Sequence, residues 1–180
     1  MITSMRAYEI RRLRPDDWPA FREIRLEALQ DTPIGFGEWH RDAVRLTAEE
    51  WRQRVERVAE PSQTALFAAL DESERFVGLA GVYPRAGQTE GVREMVVYSV
   101  YVTPEHRGAK NGVAPQLFDA AIAWARDVGK ADLITLSVHE DNDRAHRFYE
   151  RYGFVDTGET TPYVLDETAS LVHMRYEGHS

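Results

Sequence analysis

The stretch VTPEHRGAKNGVAPQL, residues 102–117, places two glycines, Gly108 and Gly112, beside two cations, Arg107 and Lys110. It leads into a run whose apolar residues Leu117, Phe118, Ala121, Ile122, Ala125 and Val128 have helical spacing. Pro115 limits where that helix can begin. An interior proline loses the bond to the carbonyl four residues back and collides with it, whereas the first turn has no such bond. The N-cap therefore falls at Gly112 or later. The amides of Gly112, Val113 and Ala114 are then expected to lack helical partners at the positive end of the helix dipole. Free backbone donors, glycines that permit close approach and flanking cations are the parts of a pyrophosphate cradle. The same residues also suit a solvated strand–helix loop whose glycines serve only the turn, and local features leave both readings open. A dinucleotide-binding unit fits poorly, because its G-x-G-x-x-G spacing is missing and the stretch lies past mid-chain. A phosphate-binding P-loop is excluded by the lack of G-K-[ST].

The elements around this loop follow from periodicity and turn chemistry. A strand is expected over Tyr8–Leu13, a helix opened by Arg14-Pro15-Asp16-Asp17 with Trp18, Phe21, Ile24, Arg25 and Ala28–Leu29 as a helical stripe, and a second helix over Thr47–Ala59. Thr47 with Glu50 has the spacing of a capping box. Strands are expected over Thr64–Leu70, Phe76–Tyr83 and Glu94–Val102, joined by Asp71–Arg75 and Pro84–Gly91. Beyond them come the helix to Val128, a strand over Leu133–Val138, a helix to Tyr152, and strands at Phe154–Thr157 and Ser170–Tyr176. Hairpins first and β-α-β-α-β afterwards give an α/β (α+β) fold: a mixed, mostly antiparallel sheet of six to seven strands flanked by about four helices. Residues 1–180 read as a single domain, with residues 1–5 and 177–180 frayed.

Twenty-two basic and 30 acidic residues in 180 give a net charge of −8, with 43% hydrophobic residues, a globular composition. No cysteine is present, which removes disulfides, thiolate metal ligation and a cysteine nucleophile. The apolar stretches Ala65–Leu70 and Met95–Val102 are too short to span a bilayer, and the first residues lack the apolar core of a signal peptide, so the expected setting is cytoplasmic with no membrane partner. Excess negative charge disfavours nucleic acid and is compatible with a cationic substrate. The histidines show no metal-ligand spacing, His139 and His146 lying seven apart, and are read as surface residues; no metal is expected.

At this point the chain resembles the Gcn5-related N-acetyltransferase (GNAT) family. That family's signature is a strand ending in V-x-P followed by R-G-x-G-x-[GA] at a helix start, and further on N-x-x-A-x-x-x-Y-x-x-x-G-F. Here stand Val102, Pro104, Arg107 and Gly108, then Asn142, Ala145, Tyr149, Gly153 and Phe154. The match is clearest over Phe76–Val155. One departure follows Arg107-Gly108: either two residues are inserted before Gly112-Val113-Ala114, or Lys110 replaces the middle glycine.

The resemblance implies an N-acetyltransferase that moves an acetyl group from acetyl-CoA to a primary amine by direct attack in a ternary complex. It sets the pantetheine arm along Val100, Tyr101 and Val102. The pyrophosphate falls to Arg107, Gly108, Lys110, Gly112, Val113 and Ala114, with Asn142 and Ala145 also against the cofactor. Tyr149 matches the family's general acid, a phenol of pKa about 10 donating to a thiolate of pKa about 8.5. From spacing alone Tyr149 is a core residue, since Ala145, Phe148, Tyr149 and Tyr152 share one helix face.

An aliphatic ammonium of pKa about 10.4 must lose its proton before it attacks. Glu94, at the entry to the long strand, is the candidate base through water, against the simpler role of an exposed hairpin charge. Tyr98 shares its strand parity. Glu38 and Trp39 belong to the segment that borders the acceptor site in the family. The acceptor itself, small molecule or peptide, has no readable code, and a homodimer is expected only because the family commonly forms one. The altered loop also admits a CoA-binding regulatory module without catalysis, or an enzyme that uses a different acyl-CoA.

Overall fold

The computed structural model describes residues 8–59, 63–87 and 90–178. Seven strands, β1 (Glu9–Arg12), β2 (Ala65–Leu70), β3 (Phe76–Pro84), β4 (Glu94–Val102), β5 (Leu133–His139), β6 (Phe154–Tyr163) and β7 (Asp166–Tyr176), form one sheet in the order β1-β2-β3-β4-β5-β7-β6 among the described residues. Every neighbouring pair is antiparallel except β4 and β5. Five α-helices accompany them: α1 (Trp18–Asp31), α2 (His40–Ala43), α3 (Ala48–Glu56), α4 (Val113–Asp127) and α5 (Asp143–Tyr152). This is the mixed, mostly antiparallel sheet that the sequence pattern implies. No helix among the described residues is long and apolar enough to cross a membrane.

Local chemistry sets the helix ends. Thr47 Oγ1 accepts from the Glu50 amide at 3.2 Å while the Glu50 carboxylate accepts from the Thr47 amide at 2.7 Å, the reciprocal capping box expected. Asn142 Oδ1 accepts from the Ala145 amide at 3.4 Å and starts α5. Gly153, at φ 114°, ends it in a left-handed turn that a residue with a β-carbon resists.

Apolar clusters cover both faces of the sheet. On one face α1 and α3 pack Phe21, Ile24, Trp51 and Val55 against Leu66, Leu79 and Tyr101. On the other, α4 and α5 pack Phe118, Tyr149 and Tyr152 against Leu136, Phe154 and Met174. Trp51 and Phe118 are fully buried, each contributing about 2–3 kcal/mol of apolar transfer free energy.

The decisive feature is where the sheet comes apart. β4 and β5 pair only at Glu94–Leu133, Met95–Ile134 and Val96–Thr135; beyond that β5 keeps only the pairing of its opposite edge with β7. On its other side β4 stays with β3, but the register jumps from Gly81–Tyr98 to Leu79–Tyr101, so Ser99 and Val100 both oppose Ala80. This is a β-bulge, with Ser99 at φ 53°. An extra residue bends a strand and increases its twist, which carries the end of β4 away from β5.

Three expectations need correction. β6 and β7 extend well beyond Phe154–Thr157 and Ser170–Tyr176 to make a long hairpin. Residues 155–162 of β6 are exposed on both faces, so no alternation marks them. α2, a single turn, was not foreseen. Glu177, expected to fray, donates its amide to the Gly153 carbonyl at 2.9 Å; residues 1–5, also expected to fray, lie outside the described residues.

Gly81 leaves room for the Tyr98 ring. A β-carbon there would stand 2.6 Å from Tyr98 Cε1 and 2.9 Å from the Ala65 carbonyl oxygen, a backbone atom that cannot swing aside. Gly81→Ala is expected to cost about 2 kcal/mol of stability, read as a lower urea midpoint at unchanged slope.

Candidate active site

The splayed strands open a cavity of about 910 Å³. β4 from Val96 to Val102 forms one wall, β5 from Leu136 to His139 the other, and α5 contributes Ala145, Phe148 and Tyr149. The segment before α2 and the β6–β7 turn close one side, through Phe36, Gly37, Tyr163 and Val164.

At one end lies the loop before α4. Gly112 is the N-cap at φ 65°, and Pro115 occupies the third helical position, where proline removes no helical bond. The amides of Val113 and Ala114 have no acceptor among the described residues, nor do those of Gly108, Ala109 and Lys110. The Gly112 amide, expected free, instead donates to the Gly108 carbonyl at 3.3 Å, beside the Asn111 amide at 3.1 Å. The buried Asn111 holds the turn further, donating from Nδ2 to the Arg107 carbonyl at 2.9 Å. Gly108 is at φ 96°, with open space where a β-carbon would stand.

Arg107 behaves differently from a free phosphate clamp. Its Nε donates to the Val102 carbonyl at 2.8 Å, its Nη2 pairs with Asp31, and its guanidinium lies 5.5 Å from the Tyr101 ring centre. Burial works against the Asp31 carboxylate, but the hydrogen bonds from Arg107 and Thr32 prevail and hold its pKa below the usual carboxylate range. Lys110 is exposed.

The cavity gathers Tyr98, Val100, Tyr101, Val102, Arg107 and Gly108 with Ala114, Asn142, Ala145 and Tyr149. Lys110, Gly112 and Val113 sit in the same loop without lining the wall. Tyr149 is 7% exposed, and its hydroxyl has no hydrogen-bond partner among the described residues. Burial alone pushes its pKa well above that of an ordinary phenol, so it stays protonated. Burial also pushes Tyr98 up to about 12 despite the nearby Arg25 charge.

Three further expected site residues stand outside the wall. Glu94 occupies the closed end of the wedge, where its carboxylate meets Arg85 Nε at 2.7 Å and accepts from Thr135 Oγ1 at 2.6 Å. Trp39 is the N-cap residue of α2 and stays exposed, with the Arg41 guanidinium 5.0 Å from its ring centre. Glu38 stands behind Arg25, accepting from its Nη2 at 3.1 Å and from Arg54 Nη2 at 2.6 Å. Burial disfavours the Glu38 carboxylate, yet the Arg54 hydrogen bond and the Arg25 charge outweigh it, and its pKa is lowered.

Sequence reasoning missed several wall residues. Arg25 lines the cavity, donates to Ser99 Oγ at 3.2 Å and stacks 4.5 Å from Phe36. His139, read as a surface residue, is buried and lines the cavity. His106 is buried too, its Nδ1 2.9 Å from the Tyr8 hydroxyl. Only pairings distant in sequence bring these groups inside. For Arg25 the available signal was its place on the helical stripe of α1, which names no role.

A strand edge open beside a helix mouth with free amides is a place for an extended, amide-bearing chain that ends in phosphates. Residues 10–154 match the model of the Acetyltransferase (GNAT) family. The chain belongs to that family. Among curated proteins, N-acetyltransferase 8B of Rattus norvegicus is 28% identical over 99 residues, 55% of this chain and 43% of the relative, so the match spans less than half of that protein. A GCN5-related N-acetyltransferase from Kribbella flavida superposes with TM-score 0.67 at 25% identity, covering 94% of this chain and 96% of that one. A GNAT acetyltransferase from Streptococcus pneumoniae gives TM-score 0.70 at 20% identity over 94% and 98%, a likeness of fold. Acetyl-CoA is the acyl donor expected for a GNAT protein. In this GNAT chain the bulged β4 and the first turn of α4, through Ala114 and Pro115, line one cavity.

The Arg25–Glu38–Arg54 cluster is structural as well as local. Glu38→Gln leaves buried Arg25 without its counter-ion and is expected to cost about 3 kcal/mol at pH 7. Because the folded pKa of Glu38 is depressed, its contribution is complete above the ordinary glutamate pKa of about 4.3 and is lost as pH falls through the lower folded value. Urea melts at pH 7 and in acid should show the gap between parent and variant closing as pH drops.

Proposed function

We propose that this chain is an N-acetyltransferase that moves the acetyl group of acetyl-CoA directly onto a primary amine, with both substrates bound together. One observation carries the reading: the unpaired edge of β4, Ala114 with its free amide at the start of α4, and the buried phenol of Tyr149 on α5 line one cavity.

In this reading the backbone of Val100, Tyr101 and Val102 hydrogen-bonds the pantetheine amides as a further strand would. The Val113 and Ala114 amides hold the pyrophosphate at the helix mouth, Gly108 gives it room, and Lys110 adds a point charge. Arg107 acts at one remove, tying the end of β4 to α1. Asn142 and Ala145 shape the wall beside the arm. At the bulge the strand backbone presents a donor toward the thioester oxygen, where negative charge grows in the transition state.

The amine nitrogen then bonds to the acetyl carbon as the carbon–sulfur bond breaks, and Tyr149 gives its proton to the departing sulfur; the acylated nitrogen sheds its surplus proton to water, and water returns one to the Tyr149 phenolate. A raised phenol pKa would by itself weaken this acid. The same desolvation raises the pKa of the thiolate, so the transfer stays close to balanced. Glu94, held by Arg85 and Thr135, anchors the closed end of the wedge; the amine loses its proton to water before it attacks. Tyr98 borders the amine, Glu38 sets Arg25 in place, and Trp39 flanks the entrance.

Tyr149→Phe should lower kcat about 100-fold while the acetyl-CoA dissociation constant from calorimetry changes less than about twofold. Unchanged turnover would remove Tyr149 as the acid. Tight acetyl-CoA binding without thiol release on any amine would identify a binding module in place of an enzyme.

A further inference from the structure

Overall charge is −8, yet no aspartate or glutamate lines the cavity among the described residues. Its charged wall groups are the arginines Arg25, Arg107, Arg144 and Arg151, besides the histidines. On the side of the sheet that carries α1, away from the helix mouth, the wall is aromatic. Tyr83 and Tyr98 meet edge to face at 5.2 Å, and Tyr163 meets His139 at 4.8 Å. Phe36 lies under the Arg25 guanidinium. His139 Nδ1 accepts from the Asp141 amide at 3.1 Å, which leaves the ring proton on Nε2 and makes the ring a donor, not a base, in its neutral form.

This end is also roofed. The Tyr163 hydroxyl donates to the Phe36 carbonyl at 2.5 Å and reaches the Pro33 carbonyl at 3.3 Å. Val164 packs so close to Gly37 that a β-carbon there would lie 3.0 Å from it. The β6–β7 turn thus rests on residues 33–37, and a polypeptide acceptor would have to part them.

We propose that the acceptor is a small amine with a single basic nitrogen and an aromatic body, seated against Phe36, Tyr83, Tyr98 and Tyr163, and that polyamines and lysine-bearing peptides are excluded. This rests on the transferase reading above. Rings at this wall accept an aromatic body edge-on or face-on. A second ammonium would lose its water at this aromatic end with no wall carboxylate to receive it, because Glu38 lies behind Arg25 and is already taken by Arg25 and Arg54.

Initial rates of thiol release from acetyl-CoA by the full chain, with phenethylamine, phenylalanine, spermidine and a lysine-containing peptide, test the proposal. Phenethylamine or phenylalanine should exceed spermidine and the peptide in kcat/KM by about tenfold or more. Comparing phenethylamine with phenylalanine shows whether the acceptor carries a carboxylate. A rate with spermidine or the peptide equal to or above that of both aromatic amines would overturn it. Val164→Glu, at a turn residue 71% exposed, places an acid at the lip and should raise spermidine relative to phenethylamine; an unchanged ratio would overturn the charge basis. No release with any of the four, while calorimetry shows acetyl-CoA bound, overturns the acceptor class alone. Absence of acetyl-CoA binding overturns the transferase reading beneath it.

Discussion

The architecture depends on one broken pairing. β4 must remain bonded to β3 along its length and yet leave β5 after three residue pairs. The bulge at Ser99 and Val100 meets both demands by adding a residue to one strand only, so the ladder with β3 resumes in a new register while β4 turns aside. Ser99 holds a left-handed backbone that costs a non-glycine residue about 1 kcal/mol, and its hydroxyl accepts from buried Arg25. Exposed strand edges normally invite aggregation. Here the open edges face a cavity covered by α5 on one side and by the β6–β7 turn on the other, so backbone donors and acceptors remain available without lying on the outer surface.

The same break sorts the chemistry onto two faces of the sheet. Tyr149 belongs to the apolar cluster under α4 and α5, whereas Arg25, Phe36 and Tyr101 lie with the cluster under α1 and α3. A buried phenol and a buried guanidinium thus approach one cleft from opposite sides. Burial affects them in opposite senses: it raises the tyrosine pKa and lowers that of Arg25, which Glu38 offsets. Both groups are held in the protonated form.

Net charge was a poor guide to the site. An excess of eight acidic residues is compatible with a cationic substrate, but the carboxylates lie elsewhere, many in ion pairs such as Asp17 with Arg11 and Glu27 with Arg75. A sum over the chain says little about a wall assembled from a few side chains, because water screens distant surface charge while the cavity responds to its own lining.

What the sequence determined by itself is what short-range physics controls. Pro115 placed the start of α4, the Thr47–Glu50 pair capped α3, Asn142 capped α5, and the apolar runs marked most strands, because each depends on residues within a turn or two. The loop and Tyr149 were legible for the same reason, as local patterns matching a known family. Tertiary structure decided the rest: the divergence of β4 from β5, the inward turn of His139, the Arg25–Glu38–Arg54 cluster, and the bond from Tyr163 to a carbonyl 127 residues away in sequence. Those features arise from strand pairing and buried charge between distant segments, and no window of neighbouring residues carries that information.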